Sequence, residues 1–202
     1  RHWMHNGFVE VGGEKMSKSL GNFTNLQELI DSGDPRAYRL LVLRSHYRSP
    51  VEINRTNTED ASRALSRLDA LARRAGDRFA TAKADDAALE QFRARMDDDL
   101  DTPGAMDVLF TTVRQANQAF DDGDLARAES LVGAVREICE AVGLRLRTET
   151  AEVPDEIREL ARRRDEARAA KRWAEADALR DEIAARGFVV EDRAEGTVVR
   201  PA

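Results

Sequence analysis

Apolar residues recur at helical spacing through most of this chain, and that periodicity constrains the fold more than any other feature. Similar patterns over residues 58–80, 85–99 and 124–143 each predict an amphipathic helix. Helices with one apolar face must bury it against one another, so we expect a helical bundle. The most complete stripe follows residue 102 and consists of Met106, Leu109, Phe110, Val113, Ala116 and Phe120.

Local signals mark where several helices begin and end. Asp34-Pro35 and Thr102-Pro103 each place a capping side chain directly before proline, the residue favoured in the first helical turn. Asn25 and Glu28 have the spacing of a capping box. Ser49-Pro50 predicts the end of the Pro35 helix or the loop after it, because a residue before proline avoids the helical conformation.

Both ends of the chain depart from the helical pattern. Phe8–Val11 alternates apolar and polar residues, as half-buried strands do, and Asn6-Gly7 before it predicts a tight turn. Near the other end, two helices over residues 155–186 are expected to meet at residues 171–173. Residues 188–199 then predict a small closing β-hairpin. The expected fold is therefore mainly α.

Composition limits the function. The formal net charge of −6 argues against a protein that coats nucleic acid indiscriminately, so any RNA must bind a local basic patch. No apolar run is long enough to span a membrane. The single cysteine, Cys139, lies on an apolar stripe, and we expect it to be buried in a protein of the reducing cytoplasm. The start at Arg1, without an initiator methionine, predicts a piece of a longer protein.

The chemistry of the chain is concentrated in Lys15-Met16-Ser17-Lys18-Ser19. Two lysines on a mobile loop can hold the negative charge that grows on pyrophosphate when a carboxylate attacks the α-phosphate of ATP. Ser17 and Ser19 can add hydrogen bonds, and nearby glycines give the loop backbone freedom. The alternative is a lysine-rich surface turn. Five specified residues followed by Leu-Gly-Asn favour the catalytic interpretation.

This pentapeptide resembles the second signature of the class I aminoacyl-tRNA synthetases. Further stretches resemble the cysteinyl-tRNA synthetase family specifically, and they follow one another in order from residue 3 to about residue 200. These stretches are His5–Val9, Lys15–Asn22, His46–Pro50, Met96–Pro103, Trp173–Asp177 and Glu191-Asp192.

The resemblance implies three parts: the end of a Rossmann-type catalytic domain with the signature loop at 1–57, a tRNA-binding helical bundle at 58–146, and a small α+β anticodon-binding domain at 147–202. It implies ATP-dependent, cytoplasmic ligation of cysteine to its tRNA through cysteinyl-adenylate, by a monomer. ATP would enter with magnesium. This family also binds zinc. The ligands for it are absent from this chain, so we expect the zinc site in another part of the parent enzyme.

Specific roles follow from the same resemblance. Lys15 and Lys18 are expected to be catalytic, and Lys15–Ser19 to bind ATP. His5 either faces the adenylate pocket or only anchors the chain locally. The positions expected to face the anticodon are Arg168, Trp173, Asp177 and Asp192.

The basic tail leaves an alternative open. Seven arginines and lysines fall between residues 158 and 172, with acidic residues among them. They could bind RNA, or they could form a solvated helix with internal ion pairs. Arg172 stands where this family commonly has Asp or Asn, which removes a helix cap and adds positive charge.

Two other functions fit parts of the sequence. A related ligase that joins cysteine to an amino sugar shares the signature loop, but it should lack the anticodon tail. A free-standing tRNA-binding module would have no reason to keep an ATP loop. We expect the isolated chain to be inactive in cysteine activation, because the first ATP signature of the family and the zinc ligands are not in it.

Overall fold

A computed structural model describes residues 3–21, 26–148, 154–193 and 196–201. The chain divides into two compact units, residues 1–148 and 149–202, which are described separately. The predicted cap at Asn25 lies outside the described residues. The mainly α fold expected from the periodicity is confirmed.

The first unit opens with a small sheet in the order β2-β1-β3. Strand β1 (Val9–Val11) pairs antiparallel with β2 (Glu14–Lys15) and parallel with β3 (Val51–Glu52). The tight turn joins β1 to β2 at Gly12 and Gly13, whose φ angles of 64° and 76° favour glycine. The turn predicted at Asn6-Gly7 is wrong, since these residues approach β1 in irregular, extended structure.

Seven helices follow in the described part of this unit, and they confirm the expected bundle. Residues 58–80 are not one helix, because Gly76 has a φ of 58° and interrupts the backbone pattern after Ala75. The helices are α1 (Leu26–Ser32), α2 (Pro35–Leu43), α3 (Arg55–Ala75), α4 (Arg78–Thr81), α5 (Asp86–Asp97), α6 (Thr102–Asp121) and α7 (Leu125–Ala141).

Aspartate side chains cap four helices of the first unit. The carboxylate of Asp34 accepts the Arg36 N–H at 2.9 Å, as the Asp34-Pro35 pair predicts. Before α6 the cap is Asp101, which accepts the Gly104 N–H at 3.0 Å, and Thr102 is already the first helical residue. Asp85 and Asp124 cap α5 and α7 in the same way. Each carboxylate also favours the positive end of its helix dipole.

Leucine and alanine fill the core of the bundle. Leu40, Leu68, Leu109 and Ile138 are fully buried, and alanines between them let the helices approach closely. Gly133 of α7 lies directly against the backbone after α4. A Cβ there would come within 2.7 Å of the Lys83 carbonyl carbon, so a larger residue would force the two segments apart.

A buried ion pair joins α2, α3 and the chain after α7. The carboxylate of Asp69 is 2.9 Å from the guanidinium of Arg36 and also accepts the Arg147 N–H at 2.9 Å. Arg36 further donates to the Arg145 carbonyl at 2.8 Å and to Asp34. Burial alone would raise the pKa of Asp34, but the hydrogen bonds and charges of Arg36 and Arg147 outweigh it and lower the pKa.

The second unit packs two helices against a hairpin, as predicted. Helices α8 (Asp155–Ala169) and α9 (Trp173–Ala185) bury Ile157, Leu160, Leu179 and Ile183, with Phe188, Val190 and Val199 packed against them. The hairpin consists of β4 (Phe188–Arg193) and β5 (Gly196–Pro201). Asp165 fixes the hairpin to α8, because its carboxylate accepts the Thr197 N–H at 3.0 Å.

The ion pair of Asp69 generates a stability prediction. Asp69→Asn removes one of the two carboxylates that compensate the largely buried Arg36, and the one that also holds the Arg147 N–H, so we expect the first unit to lose roughly 3 kcal/mol. Asp77→Asn is the control, because Asp77 is an exposed aspartate whose side chain makes no cap bond; it should change stability by less than about 0.5 kcal/mol. Urea unfolding followed by circular dichroism measures both. Equal midpoints for the two variants would show that the pair does not stabilise the bundle.

Cys139 supports a second prediction. Its side chain is 1% exposed, and burial raises the pKa of the thiol to about 12, with smaller contributions from Asp69 and Glu140. The thiolate is the reactive form, so a thiol reagent at mildly alkaline pH should label the folded chain very slowly. In denaturant the same reagent should label one thiol per chain rapidly. Rapid labelling without denaturant would contradict this burial.

Candidate functional site

The predicted signature loop begins at the end of the β1–β2 hairpin. Lys15 is the last residue of β2, and the Met16 N–H donates to the Val9 carbonyl at 2.8 Å, so the start of the loop is fixed to the sheet. The Ser17 and Ser19 hydroxyl oxygens are 3.1 Å apart, and the Leu20 N–H donates to Ser17 at 3.3 Å. These bonds shape one short 3-10 turn over residues 18–20.

The two lysines of the loop lie in different elements, Lys15 in β2 and Lys18 in the 3-10 turn. Lys15 is exposed, and its ammonium lies 3.9 Å from the centroid of the Phe8 ring, within cation–π distance. The backbone of Lys18 belongs to the 3-10 turn, but its side chain lies outside the described part of the chain. His5 is exposed in the segment before β1. No described hydrogen bond or ion pair joins His5 to the loop, so its role stays a prediction.

A second polar cluster lies between the sheet and the bundle. The Tyr47 hydroxyl donates to Asp99 Oδ1 at 2.8 Å, and the Arg48 guanidinium reaches the same oxygen at 3.0 Å. Arg48 Nε also donates to the Tyr47 hydroxyl at 2.8 Å. The hydrogen bond to Tyr47, together with the charge of Asp99, raises the pKa of Arg48. The sequence identified both stretches separately, but nothing in it indicated that they touch.

In the second unit, one exposed helix face contains two of the predicted anticodon residues. Trp173 is 59% exposed at the start of α9, and Asp177 lies exposed one turn later. Residues four positions apart share a helix face, so the ring and the carboxylate face solvent together. Arg180 continues this face and is also exposed. Arg180 was not among the residues predicted from the sequence, although its spacing of seven residues from Trp173 places it on the same side of the helix.

The other two predicted anticodon residues lie in α8 and β4. Arg168 is half-buried near the end of α8. Asp192 lies in β4 opposite Thr197, and its side chain is outside the described part. The turn between α8 and α9 contains Lys171 with a φ of 57°, and Arg172 occupies the cap position of α9 without a side-chain cap bond. This geometry fits the loss of a cap that was expected at residue 172.

The basic residues of α8 separate into different groups. Arg162 pairs with both Glu159 and Glu166 on an exposed face, and the hydrogen bond from Arg162 lowers the pKa of Glu159. Arg158 pairs with Asp155. Arg164 is 5% exposed and donates to Thr197, so it belongs to the interior of the unit. Arg163 and Lys171 make no ion pair within the described ranges, although the charge of Arg163 contributes to the lowered pKa of Glu159.

The described residues do not fit a zinc site. No group of three or more histidine, cysteine, aspartate or glutamate side chains lies close enough together to hold a metal ion, over the ranges the structure covers. The single cysteine is buried in the bundle, and structural zinc sites take four ligands. No described helix is long and apolar enough to cross a membrane.

Three family models match successive parts of the chain. The model of the class I (C) tRNA synthetase catalytic domain matches residues 1–63, the DALR domain matches residues 91–147, and the cysteinyl-tRNA ligase anticodon binding domain matches residues 150–200. The signature loop therefore lies in a match to a catalytic domain, and the Trp173 face lies in a match to an anticodon-binding domain.

Curated relatives are similar along the whole chain. Cysteine–tRNA ligases of Laribacter hongkongensis and Aromatoleum aromaticum are 41% and 38% identical to it over 100% of its length. The chain spans 45% of the length of each. Among solved structures, a chain of the LeuRS-tRNA-LeuAMS ternary complex from Agrobacterium radiobacter K84 superposes with a TM-score of 0.53 over 69% of this chain and 20% of that one. At 20% identity this likeness concerns the fold alone.

The first family match defines the class of protein, because it places the start of the chain in the catalytic domain of a class I aminoacyl-tRNA synthetase. The anticodon-domain match and the similarity to the curated relatives over the whole chain are more specific. The chain belongs to the cysteinyl-tRNA synthetase family.

Proposed function

We propose that this chain serves in the ATP-dependent ligation of cysteine to its tRNA, through a cysteinyl-adenylate. The main support is that two features occur in the same chain. The first unit has the signature loop at the end of a hairpin, and the second unit has a helix face with an exposed tryptophan and a carboxylate. ATP with magnesium, cysteine and the tRNA for cysteine are the proposed ligands of the whole enzyme. The anticodon-binding match argues against a ligase that acts on an amino sugar.

The loop acts on the leaving group. Its start is fixed by the Met16–Val9 hydrogen bond, while the glycines at 12, 13 and 21 have positive φ angles and sit on either side of it. A loop built this way can close over a nucleotide by rotation at its ends. Lys15 and Lys18 then meet the pyrophosphate oxygens as charge develops on them. Met16, Ser17 and Ser19 line the ATP phosphates, and His5 is the remaining candidate for the adenylate pocket.

The second unit recognises the anticodon. Codons for cysteine imply an anticodon of guanine, cytosine and adenine. Guanine offers acceptors that suit arginine, and the other two bases offer exocyclic amines that suit carboxylates. Arg168, Asp177 and Asp192 supply these groups, and Trp173 supplies a stacking surface. Lys171 and Arg163 contribute phosphate contacts, because their charge is not used by ion pairs within the described ranges.

The first prediction of this assignment concerns Lys18. In the full-length enzyme, Lys18→Ala should lower the rate of cysteine activation by about two to three orders of magnitude, the scale of one lost transition-state contact. Cysteine binding should change little. Lys83→Ala is the matched control, because Lys83 is an exposed lysine between α4 and α5. ATP–pyrophosphate exchange gives the rate, and a full rate in Lys18→Ala would show that Lys18 does not act on the leaving pyrophosphate.

The second prediction separates base contacts from phosphate contacts. Asp177→Ala and Asp192→Ala should reduce discrimination against altered anticodons and leave the salt dependence of tRNA binding nearly unchanged. Lys171→Ala should weaken binding to all tRNAs alike and make the salt dependence shallower. Affinities for native and anticodon-swapped transcripts at several salt concentrations distinguish the two effects. Glu182→Ala is the control for charge alone, because Glu182 is an exposed carboxylate of α9 that points away from Asp177 and pairs with Arg186. Unchanged anticodon preference in both aspartate variants would refute the base contacts.

A further inference from the structure

The bend between α5 and α6 has an unusual backbone. Asp99 and Leu100 have φ angles of 54° and 55°, in the left-handed region that residues other than glycine seldom occupy. A residue with a side chain is strained in this region, so the conformation persists only where neighbouring contacts maintain it. Glycine would fit residue 99 with less strain, yet the chain has an aspartate there.

The contacts that hold this bend come from the segment between α2 and β3. Tyr47 and Arg48 both donate to the Asp99 carboxylate, and the His46 ring nitrogen lies 3.1 Å from the Asp99 carbonyl oxygen. The Thr102 hydroxyl donates to the Ser45 carbonyl at 3.2 Å. A stretch of chain some fifty residues away in sequence therefore surrounds the strained residue on both its backbone and its side chain.

The same segment holds the sheet from which the signature loop starts. The Gly7 N–H donates to the Tyr47 carbonyl at 2.6 Å. A Cβ on Gly7 would overlap the Ser49 carbonyl, so the backbones of these two segments are in direct contact. Beyond this contact the Val51 N–H donates to the Phe8 carbonyl and the Ile53 N–H to the Glu10 carbonyl, each at 2.9 Å.

Tyr47 thus bonds in two directions. Its carbonyl holds the chain before β1, and its hydroxyl holds Asp99 in the bundle. Strand β1 leads through Gly12-Gly13 into β2, whose last residue is Lys15. Tyr47 therefore connects the Asp99 carboxylate to the segment that leads, through β1 and β2, to the start of the loop.

We propose that Asp99 is a positioning residue for the signature loop, which it orients from the bundle through Tyr47 and Arg48. This inference rests on the proposed function of the loop. The loop lysines act on charge that appears in the transition state, and small displacements of such groups lower the rate of the chemical step. Loss of the Asp99 contact should therefore reduce kcat for activation more than it changes the KM for ATP.

The informative variants are Asp99→Gly and Tyr47→Phe. Asp99→Gly removes the carboxylate and, because glycine tolerates the positive φ angle of residue 99, also relieves the backbone strain. If Asp99 only maintained the bend, the variant should therefore be as stable as the wild-type chain or more stable. Tyr47→Phe removes only the hydroxyl. Asp98→Asn is the matched control, because Asp98 is the exposed neighbour of Asp99 and no described side-chain contact of it joins the cluster.

The first measurement uses the 202-residue chain. Amide hydrogen exchange at Gly7, Val51 and Ile53 should accelerate roughly fivefold or more in Asp99→Gly and Tyr47→Phe, the scale of a coupling of about 1 kcal/mol. Exchange in the α6–α7 core should stay unchanged, as it should everywhere in Asp98→Asn. Unchanged exchange at the three amides, or an equal acceleration throughout the first unit, would overturn the proposal.

The second measurement uses ATP–pyrophosphate exchange by the full-length enzyme. We expect kcat to fall roughly 5- to 30-fold in both variants, KM for ATP to stay within about twofold, and the double variant to be no worse than the stronger single one. An inactive wild-type enzyme would refute the proposed function, and the hydrogen-exchange result would still decide the positioning role. An active wild type with Asp99→Gly and Tyr47→Phe as fast as Asp98→Asn would refute the positioning role alone.

Discussion

The buried contact between Asp69 and Arg36 organises the first unit. Arg36 lies at the start of α2 and Asp69 lies in the second half of α3, and the Arg147 N–H adds a third hydrogen bond to the carboxylate. A charged pair with little exposure is costly to bury unless its hydrogen bonds are satisfied, and here they are shared among three segments. Helix α2, the second helix after the signature loop, is thereby fixed to α3 and to the chain after α7.

Four aspartates of the first unit act as helix caps. Asp34, Asp85, Asp101 and Asp124 each accept a backbone N–H at the first turn of a helix, where the helix dipole favours a negative charge. Several exposed arginines are likewise held in ion pairs, as Arg162 is in α8. Lys171 and Arg163 make no ion pair within the described ranges. A chain with a net charge of −6 therefore still has local positive groups in the second unit.

The sequence was enough to predict which residues form the candidate site, but it predicted only part of their geometry. The signature pentapeptide is contiguous, so its position on a loop follows from the neighbouring strand pattern and glycines. Trp173 and Asp177 could be placed together because a spacing of four residues defines a helix face. The contact of Tyr47 and Arg48 with Asp99 could not, since the residues are about fifty positions apart and no local pattern encodes their approach.

The sequence by itself determined the helices, most of their starting residues and the closing hairpin, because caps, prolines and apolar periodicity act within a few residues of each position. Gly76 was the local exception, where a residue with positive φ divided a pattern that reads as one helix. Only the tertiary structure decided the parallel pairing of β1 with β3, the partner of Asp69 and the two-way bonding of Tyr47. These contacts depend on how distant segments pack, and packing is a property of the whole chain.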